Sequence, residues 1–162
     1  AEEPAVITIH ARTREEMSKV PARWEEVKRA VEIRNNLKSS CLIIGNGDLQ
    51  DLADARKKVS ETGADGAMLG RAIFGNPFLF SQNKFPEGIE GQELRLRVML
   101  EHTKLFQELL GEIKSFAIMK KHYKAYVSGW DGAKELREKL MLTNSASEVE
   151  SIVSEYLKKG SS

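Results

Sequence analysis

Three short stretches of this 162-residue chain combine residue types that could do chemistry: His10 and Arg12 in "IHARTR", Asn46 and Asp48 in "GNGD" at 45–48, and Arg71 in "GR" at 70–71. An imidazole can hold or pass a proton, and a guanidinium can clasp a phosphate through two N–H groups. Glycines at 45, 47 and 70 would let backbone approach an anion closely, and glycine takes a positive φ without strain. Arg71 opens the segment after the last of three apolar runs, where its charge and a helix N-terminus would both favour an anion. Together these features predict a phosphate cradle. Each stretch alone has a plainer reading: Gly45 to Asp48 as a tight turn with Asp48 capping a helix, His10 as a satisfied core histidine, Arg12 as a surface charge. Their recurrence after three successive apolar runs favours the cradle.

Such residues converge only if the runs before them are neighbouring strands. "AVITIH" (5–10), "CLIIG" (41–45) and "GAMLG" (66–70) are short apolar segments of strand type. Between the first two lies "PARWEEVKRAVEIRNNL" (21–37), with Pro21 near a helix start and Trp24, Val27, Ala30 and Val31 at helical spacing. Between the second and third lies "DLQDLADARKKVSETG" (48–63), with Asp48 placed to cap a helix and Gly63 placed to end it. Short apolar strands alternating with helices predict a parallel sheet and an α/β architecture, in which ligands bind at the carboxyl ends of the strands. A phosphate held after the last two strands is a recurrent arrangement in TIM barrels.

From about residue 89 the pattern changes. "GQELRLRVMLEHTKLFQELLG" (91–111), "EIKSFAIMKKHYKAYVSG" (112–129), "GAKELREKLMLTN" (132–144) and "SASEVESIVSEYLKKG" (145–160) carry apolar residues at three-and-four spacing and predict four helices. The expected organisation is an α/β part over 1–80, a linker over 81–91 with Pro86 and Gly88, a helical domain over 92–159, and a disordered tail at 160–162. Lys114, Lys120, Lys121 and Lys124 are expected to form a basic stripe on one helix, with Tyr123 and Tyr126 nearby, suited to a phosphate backbone. A solvated helix face is the alternative. Trp130 is expected to pack, and His102 to lie on the surface of the first helix.

Composition narrows the class without choosing a substrate. With 41% hydrophobic and 30% charged residues the chain is globular, and its formal charge of +1 gives no global argument for a polyanionic partner. Its apolar runs fall far short of the roughly 20 residues that span a bilayer, and "AEEPAVITIH" has no basic region followed by an apolar core, so a cytoplasmic protein is expected. The single cysteine, Cys41, lies in an apolar run and is expected to be a buried thiol. No metal-ligand set is expected. A chain that enters strand-like sequence almost at once, without an initial methionine, is expected to be a fragment.

These stretches carry a family resemblance. "ITIHARTREEMSKVPARWEEV", "IIGNGDLQDLADA" and "TGADGAMLGRAIFGNPFLF" resemble, in order and spacing, the last three β/α units of tRNA-dihydrouridine synthases, with the bacterial B-like branch nearest. "MKKHYKAYVSGWDGAKELREKLM" is similar to the helical C-terminal domain of that family. The resemblance implies the C-terminal part of a TIM barrel, about three β/α units, followed by an all-α four-helix domain. It implies an FMN-dependent oxidoreductase that uses NADPH to reduce the C5–C6 double bond of uridine in tRNA. On that resemblance His10, Arg12, Asn46, Gly47, Asp48, Gly70 and Arg71 are the cofactor-binding residues, and the lysines of the helical part meet tRNA. Ala11 stands where the family has glycine. The upstream strands, with a flavin-contacting lysine and the loop cysteine that serves as general acid, have no counterpart here, and Cys41 lies in the wrong place to replace that acid. Three β/α units cannot close an eight-stranded barrel, so the fragment alone is expected to be inactive and to leave "AVITIH" as an open edge through which it could dimerise. Two rival readings are a non-catalytic RNA-binding helical module and another FMN-dependent TIM-barrel oxidoreductase.

Overall fold

The computed structural model describes residues 3–81 and 85–160, so residues 82–84 of the expected linker and residues 161 and 162 of the expected tail lie outside the described residues. The chain divides into two compact units, Ala1–Ile73 and Phe74–Ser162.

The first unit alternates strands and helices as the sequence predicts. Strand β1 (Val6–His10) leads through a long loop to helix α1 (Trp24–Asn36), then to β2 (Leu42–Asn46), helix α2 (Leu52–Thr62) and β3 (Gly66–Met68). The three strands form one parallel sheet in the order β1-β2-β3, with Val6 opposite Leu42, His10 opposite Asn46 and Asn46 opposite Met68. Helix α1 buries Trp24, Val27 and Val31 of the four residues its spacing placed on one face, with Ala30 half-buried, and carries Glu25 and Glu26 in its first turn, where negative charge opposes the helix dipole. Helix α2 corrects one expectation. Its cap is Asp51, whose carboxylate accepts from the Asp54 N–H at 2.8 Å, while Asp48 stands at φ 52° in the preceding turn and spends its carboxylate elsewhere. Gly63 ends the helix in the left-handed conformation, as its position predicted.

Period-two alternation decides which strand residues are covered. Ile43 and Gly45 join a core with Ala11, Trp24, Val27, Val31, Cys41, Leu49, Ala55 and Ala64, so the buried thiol is as expected. Arg34 on α1 donates to Asp65 at 2.7 Å, and the same Asp65 oxygen accepts from the Ile43 N–H, which ties the helix end to the sheet. The opposite face is bare. Val6, Leu42 and Met68 are 47%, 45% and 49% exposed, although parallel sheets are ordinarily buried on both sides.

The second unit holds α3 (Gly88–Leu110), α4 (Ala117–Tyr126), α5 (Ala133–Leu140) and α6 (Ala146–Gly160). The unit begins at Phe74, ahead of the stretch expected to link the two parts. Here the Phe74 ring stands edge-on to His122 at 5.1 Å, and Phe78 meets Phe85 at 5.1 Å. Leu96, Met99, Met119, Tyr123, Val127, Leu140, Val149 and Val153 fill one core. Ser145 accepts from the Glu148 N–H while the Glu148 carboxylate accepts from the Asn144 N–H, and these two contacts open α6. Three readings of this region change. Lys114 lies in the turn before α4 and not on its helix, Tyr123 and Tyr126 are core residues and do not flank an accessible stripe, and His102 is half-buried against His122 and Tyr126. Trp130 packs as expected, donating from Nε1 to the Tyr156 hydroxyl at 3.0 Å.

Candidate functional site

The polar residues gather at the carboxyl ends of the three strands because the register leaves them nowhere else to go. His10 and Asn46 are the last residues of β1 and β2 and stand opposite each other. The His10 Nδ1 lies 2.5 Å from the Asn46 Oδ1, and the Asn46 amide donates to the Met68 carbonyl at 2.6 Å, so one hydrogen-bonded chain crosses the ends of all three strands. Beyond it, Asp48 gathers both arginines. One carboxylate oxygen accepts from the Arg12 guanidinium and from the Ala22 N–H at 2.9 Å, and the other accepts from Arg71 at 3.2 Å. The Arg12 contact, opposed by partial burial and aided by the Ala22 N–H and then by the two positive charges, holds the Asp48 carboxyl below the usual range.

The two arginines differ sharply. Arg12 is 4% exposed, its Nε donating to the Val20 carbonyl at 2.6 Å, so its charge is committed inside the protein. Arg71 is 65% exposed, and an ion pair so open to water is worth only about 0–1 kcal/mol. An incoming anion can therefore recruit Arg71 at little cost. Two guanidiniums against one carboxylate leave this rim with one net positive charge. The helix expected at Arg71 is a three-residue 3₁₀ turn, Arg71–Ile73, too short to contribute a dipole, so the attraction for an anion rests on the guanidinium.

The glycines divide in the same way. A Cβ on Gly45 would stand 2.3 Å from the Trp24 ring, and one on Gly47, whose φ is 140°, would stand 2.7 Å from the Ala22 methyl. Both serve the packing of α1 and its loop against β2, and Gly47 also lines the cleft at the strand ends. Of these three glycines Gly70 meets nothing within 4 Å, and it lines the open cleft of about 780 Å³ that His10, Arg12, Asn46, Asp48 and Arg71 also line. A bare backbone beside an exposed guanidinium is a donor set that fits a phosphate group. Ala11 does not have a positive φ and is buried against the sheet.

Several contributors escaped the sequence reading. Glu16 takes both guanidinium nitrogens of Arg23 at 2.6 and 2.8 Å and also accepts from the Thr13 N–H, which ties down the loop that carries Arg12. The Arg23 contact comes first among the causes that lower its pKa to about 2. Trp24 forms the floor under Gly45 and donates to the Gly47 carbonyl at 2.9 Å. The only linear signal for these was the polar density of "RTREEMSKVPARW", which does not say which pairs form. In the other unit, Lys121 and Lys124 are exposed on α4, Lys120 is half-buried there, and Lys114 is exposed in the preceding turn. Among the described residues no helix is long and apolar enough to cross a membrane.

Comparison with known proteins agrees with this geometry. The sequence profile of the family described as Dihydrouridine synthase (Dus) matches residues 4–160. A "Probable tRNA-dihydrouridine synthase" of Staphylococcus aureus (strain Mu50) is 38% identical over 153 residues, which is 94% of this chain and 46% of the relative. A "Probable tRNA-dihydrouridine synthase" of Staphylococcus epidermidis is 37% identical over the same shares, and a "Probable tRNA-dihydrouridine synthase 2" of Bacillus subtilis is 36% identical over 96% of this chain and 47% of its own length. The chain thus spans about half the length of the curated relatives it matches. A profile match that runs almost from end to end, on a chain whose strand ends gather His10, Asn46, Asp48 and Arg71, places it in a family: the chain belongs to the dihydrouridine synthases.

Proposed function

We propose that this chain is the C-terminal part of a tRNA-dihydrouridine synthase, contributing the phosphate-holding rim of an FMN site and a helical surface for tRNA. The observation that carries the proposal is the cleft at the carboxyl ends of the parallel strands, where Gly70 leaves open space beside the exposed guanidinium of Arg71. FMN bound in such a site would supply hydride chemistry, accepting hydride from NADPH and passing it to the C5–C6 bond of a tRNA uridine. The chain's own residues bind and orient. Arg71 and the Gly70 backbone would hold the phosphate, Asp48 keeps Arg71 at the rim, and His10 and Asn46 shape the inner wall of the cleft. Arg12 serves this site indirectly, through the buried pair that fixes Asp48.

The bare sheet face supports a longer parent. Val6, Leu42 and Met68 lie on the side without helices, and β1 and β3 each pair on one side only among the described residues, as segments of a closed barrel would before closure. We infer that reduction needs the remaining strands and the general acid they carry, and that the chain alone is inactive and can pair with a second copy along β1. Lys120, Lys121 and Lys124 on α4, with Lys114 in the turn before it, are the surface offered to the tRNA backbone. A tRNA substrate with NADPH as reductant supports a cytoplasmic location.

Flavin titration tests the rim. The full-length enzyme should bind FMN more tightly than riboflavin, which lacks the phosphate, and Arg71→Ala should erase about 1–3 kcal/mol of that difference while leaving riboflavin unchanged. Equal loss for both flavins would remove Arg71 from the phosphate.

A further inference from the structure

The hydrogen-bonded chain across the strand ends fixes more than position. Asn46 stands between His10 on β1 and Met68 on β3 as the register partner of both. The Met68 carbonyl can only accept, so the amide nitrogen of Asn46 faces it and donates at 2.6 Å. The other end of the amide, Oδ1, carries no proton and lies 2.5 Å from the Nδ1 of His10. Two lone pairs at that distance would repel, so Nδ1 carries the proton. A neutral imidazole has one N–H, which leaves Nε2 with a lone pair. His10 lines the cleft and is exposed, so Nε2 is the atom it can offer to a ligand.

We propose that Asn46 is a positioning residue that fixes His10 as the Nδ1–H tautomer and so makes Nε2 a hydrogen-bond acceptor, selecting a ligand that presents an N–H or O–H donor to the strand-end rim. The arrangement follows a general pattern in which the partner of one ring nitrogen decides what the other can do. It is set from the backbone: parallel pairing brings Met68 beside Asn46, the Met68 carbonyl orients the amide, and the amide orients the imidazole. The selection of a ligand rests on the cofactor cleft proposed above, whereas the tautomer does not.

Nitrogen-15 spectroscopy of the histidine rings in the 162-residue chain separates the two. At about pH 8.5, some two units above the ordinary imidazole pKa, protonated and unprotonated ring nitrogens resonate far apart. His10→Gln assigns the His10 signals among the three histidines of the chain. The expected spectrum shows the Nδ1–H form exceeding the Nε2–H form by about tenfold, the scale of one net hydrogen bond. Asn46→Ala should collapse that preference to a mixture, and Asn46→Asp, which keeps an acceptor, should preserve it. A wild-type ring in the Nε2–H form overturns the assignment without any variant, and an unchanged ratio in a folded Asn46→Ala removes Asn46 from the role. Added FMN should then shift the Nε2 resonance while Nδ1 stays protonated. If FMN binds and Nε2 is unmoved, the selection of a donor is wrong. If FMN does not bind, the cleft reading fails in this chain, and the ligand half of the proposal with it, while the tautomer result stands by itself.

Discussion

In the helical unit the apolar stripes of four helices meet in one cluster in which Leu96, Met99, Met119, Tyr123 and Leu140 are inaccessible to solvent, whereas in the α/β unit a core of comparable chemistry covers only one side of a three-stranded sheet. Even polar groups are internalised in the first: Thr103, buried within α3, returns its hydroxyl to the Met99 carbonyl at 2.8 Å. In the second, the polar groups stand at the strand ends facing a cleft, and Val6, Leu42 and Met68 face solvent across the sheet. The helical unit closes around one core, although the Tyr123 hydroxyl is buried there without a hydrogen-bond partner among the described residues. The α/β unit has groups to spare for a ligand and a face to spare for more protein.

The largest effect expected from that contrast is in the closed core. Leu140→Ala should destabilise the helical unit by about 2–5 kcal/mol, because Leu140 is fully buried in the core cluster and a cavity there has no solvent-facing side through which to relax. Denaturant unfolding followed by Trp130 emission in a Trp24→Phe background would measure it. A loss below about 1 kcal/mol would mean that this core is not closed in the sense argued.

A smaller effect is expected at the floor of the open unit. Gly45→Ala places a methyl 2.3 Å from the Trp24 ring, and overpacking of this kind costs about 1–3 kcal/mol. Because Trp24 also donates to the Gly47 carbonyl, its displacement should loosen the turn that holds Asp48. Trp24 emission in a Trp130→Phe background and the FMN affinity of the full-length enzyme should change together. Stability lost with flavin affinity intact would separate the floor from the rim.

Much of this was legible from residues alone, and the gaps have physical reasons. The strands, the buried face of α1 and the convergence of His10, Asn46, Asp48 and Arg71 followed from periodicity and from where parallel strands end. Asp48 misled because two aspartates three residues apart are equally good caps in a linear string, and only the positions of Arg12 and the Ala22 N–H decide which one turns away. Gly45 looked like a ligand-facing glycine because a sequence does not say whether the space a missing Cβ leaves belongs to a phosphate or to a tryptophan, whereas Gly47 does line the cleft. On α4, helical spacing put lysines and tyrosines close together, but Tyr123 and Tyr126 turn into the core and the lysines turn out of it.

The smallest expected effect, and the one that separates the units most cleanly, is on pH. In the helical unit His102 and His122 lie with ring centroids 5.0 Å apart, the first accompanied by the Tyr126 hydroxyl and the second by Phe74 and Lys121. Burial lowers the pKa of both, and for His122 the neighbouring His102 and Lys121 lower it further. A histidine whose folded pKa lies below its unfolded value takes up its proton more readily when unfolded, so the stability it lends is present above about pH 6.5 and declines as the pH falls from there toward the folded pKa. In the α/β unit the groups with lowered pKa are carboxylates. Glu16, lowered to about 2 chiefly by Arg23, and Asp48, lowered chiefly by Arg12, lend stability that persists to about pH 4.5 and is lost below it. Acid should therefore soften the helical unit first, from about pH 6.5 downward, while the α/β unit holds until the carboxylates protonate. Thermal unfolding read separately from Trp130 and Trp24 over that range would show it, and His102→Gln with His122→Gln should flatten the Trp130 profile above pH 5. A Trp130 transition that stays level from pH 8 to 5 in the unsubstituted chain would mean that the two imidazoles are better solvated than their packing implies. The acid sensitivity of both units would then rest on carboxylates alone.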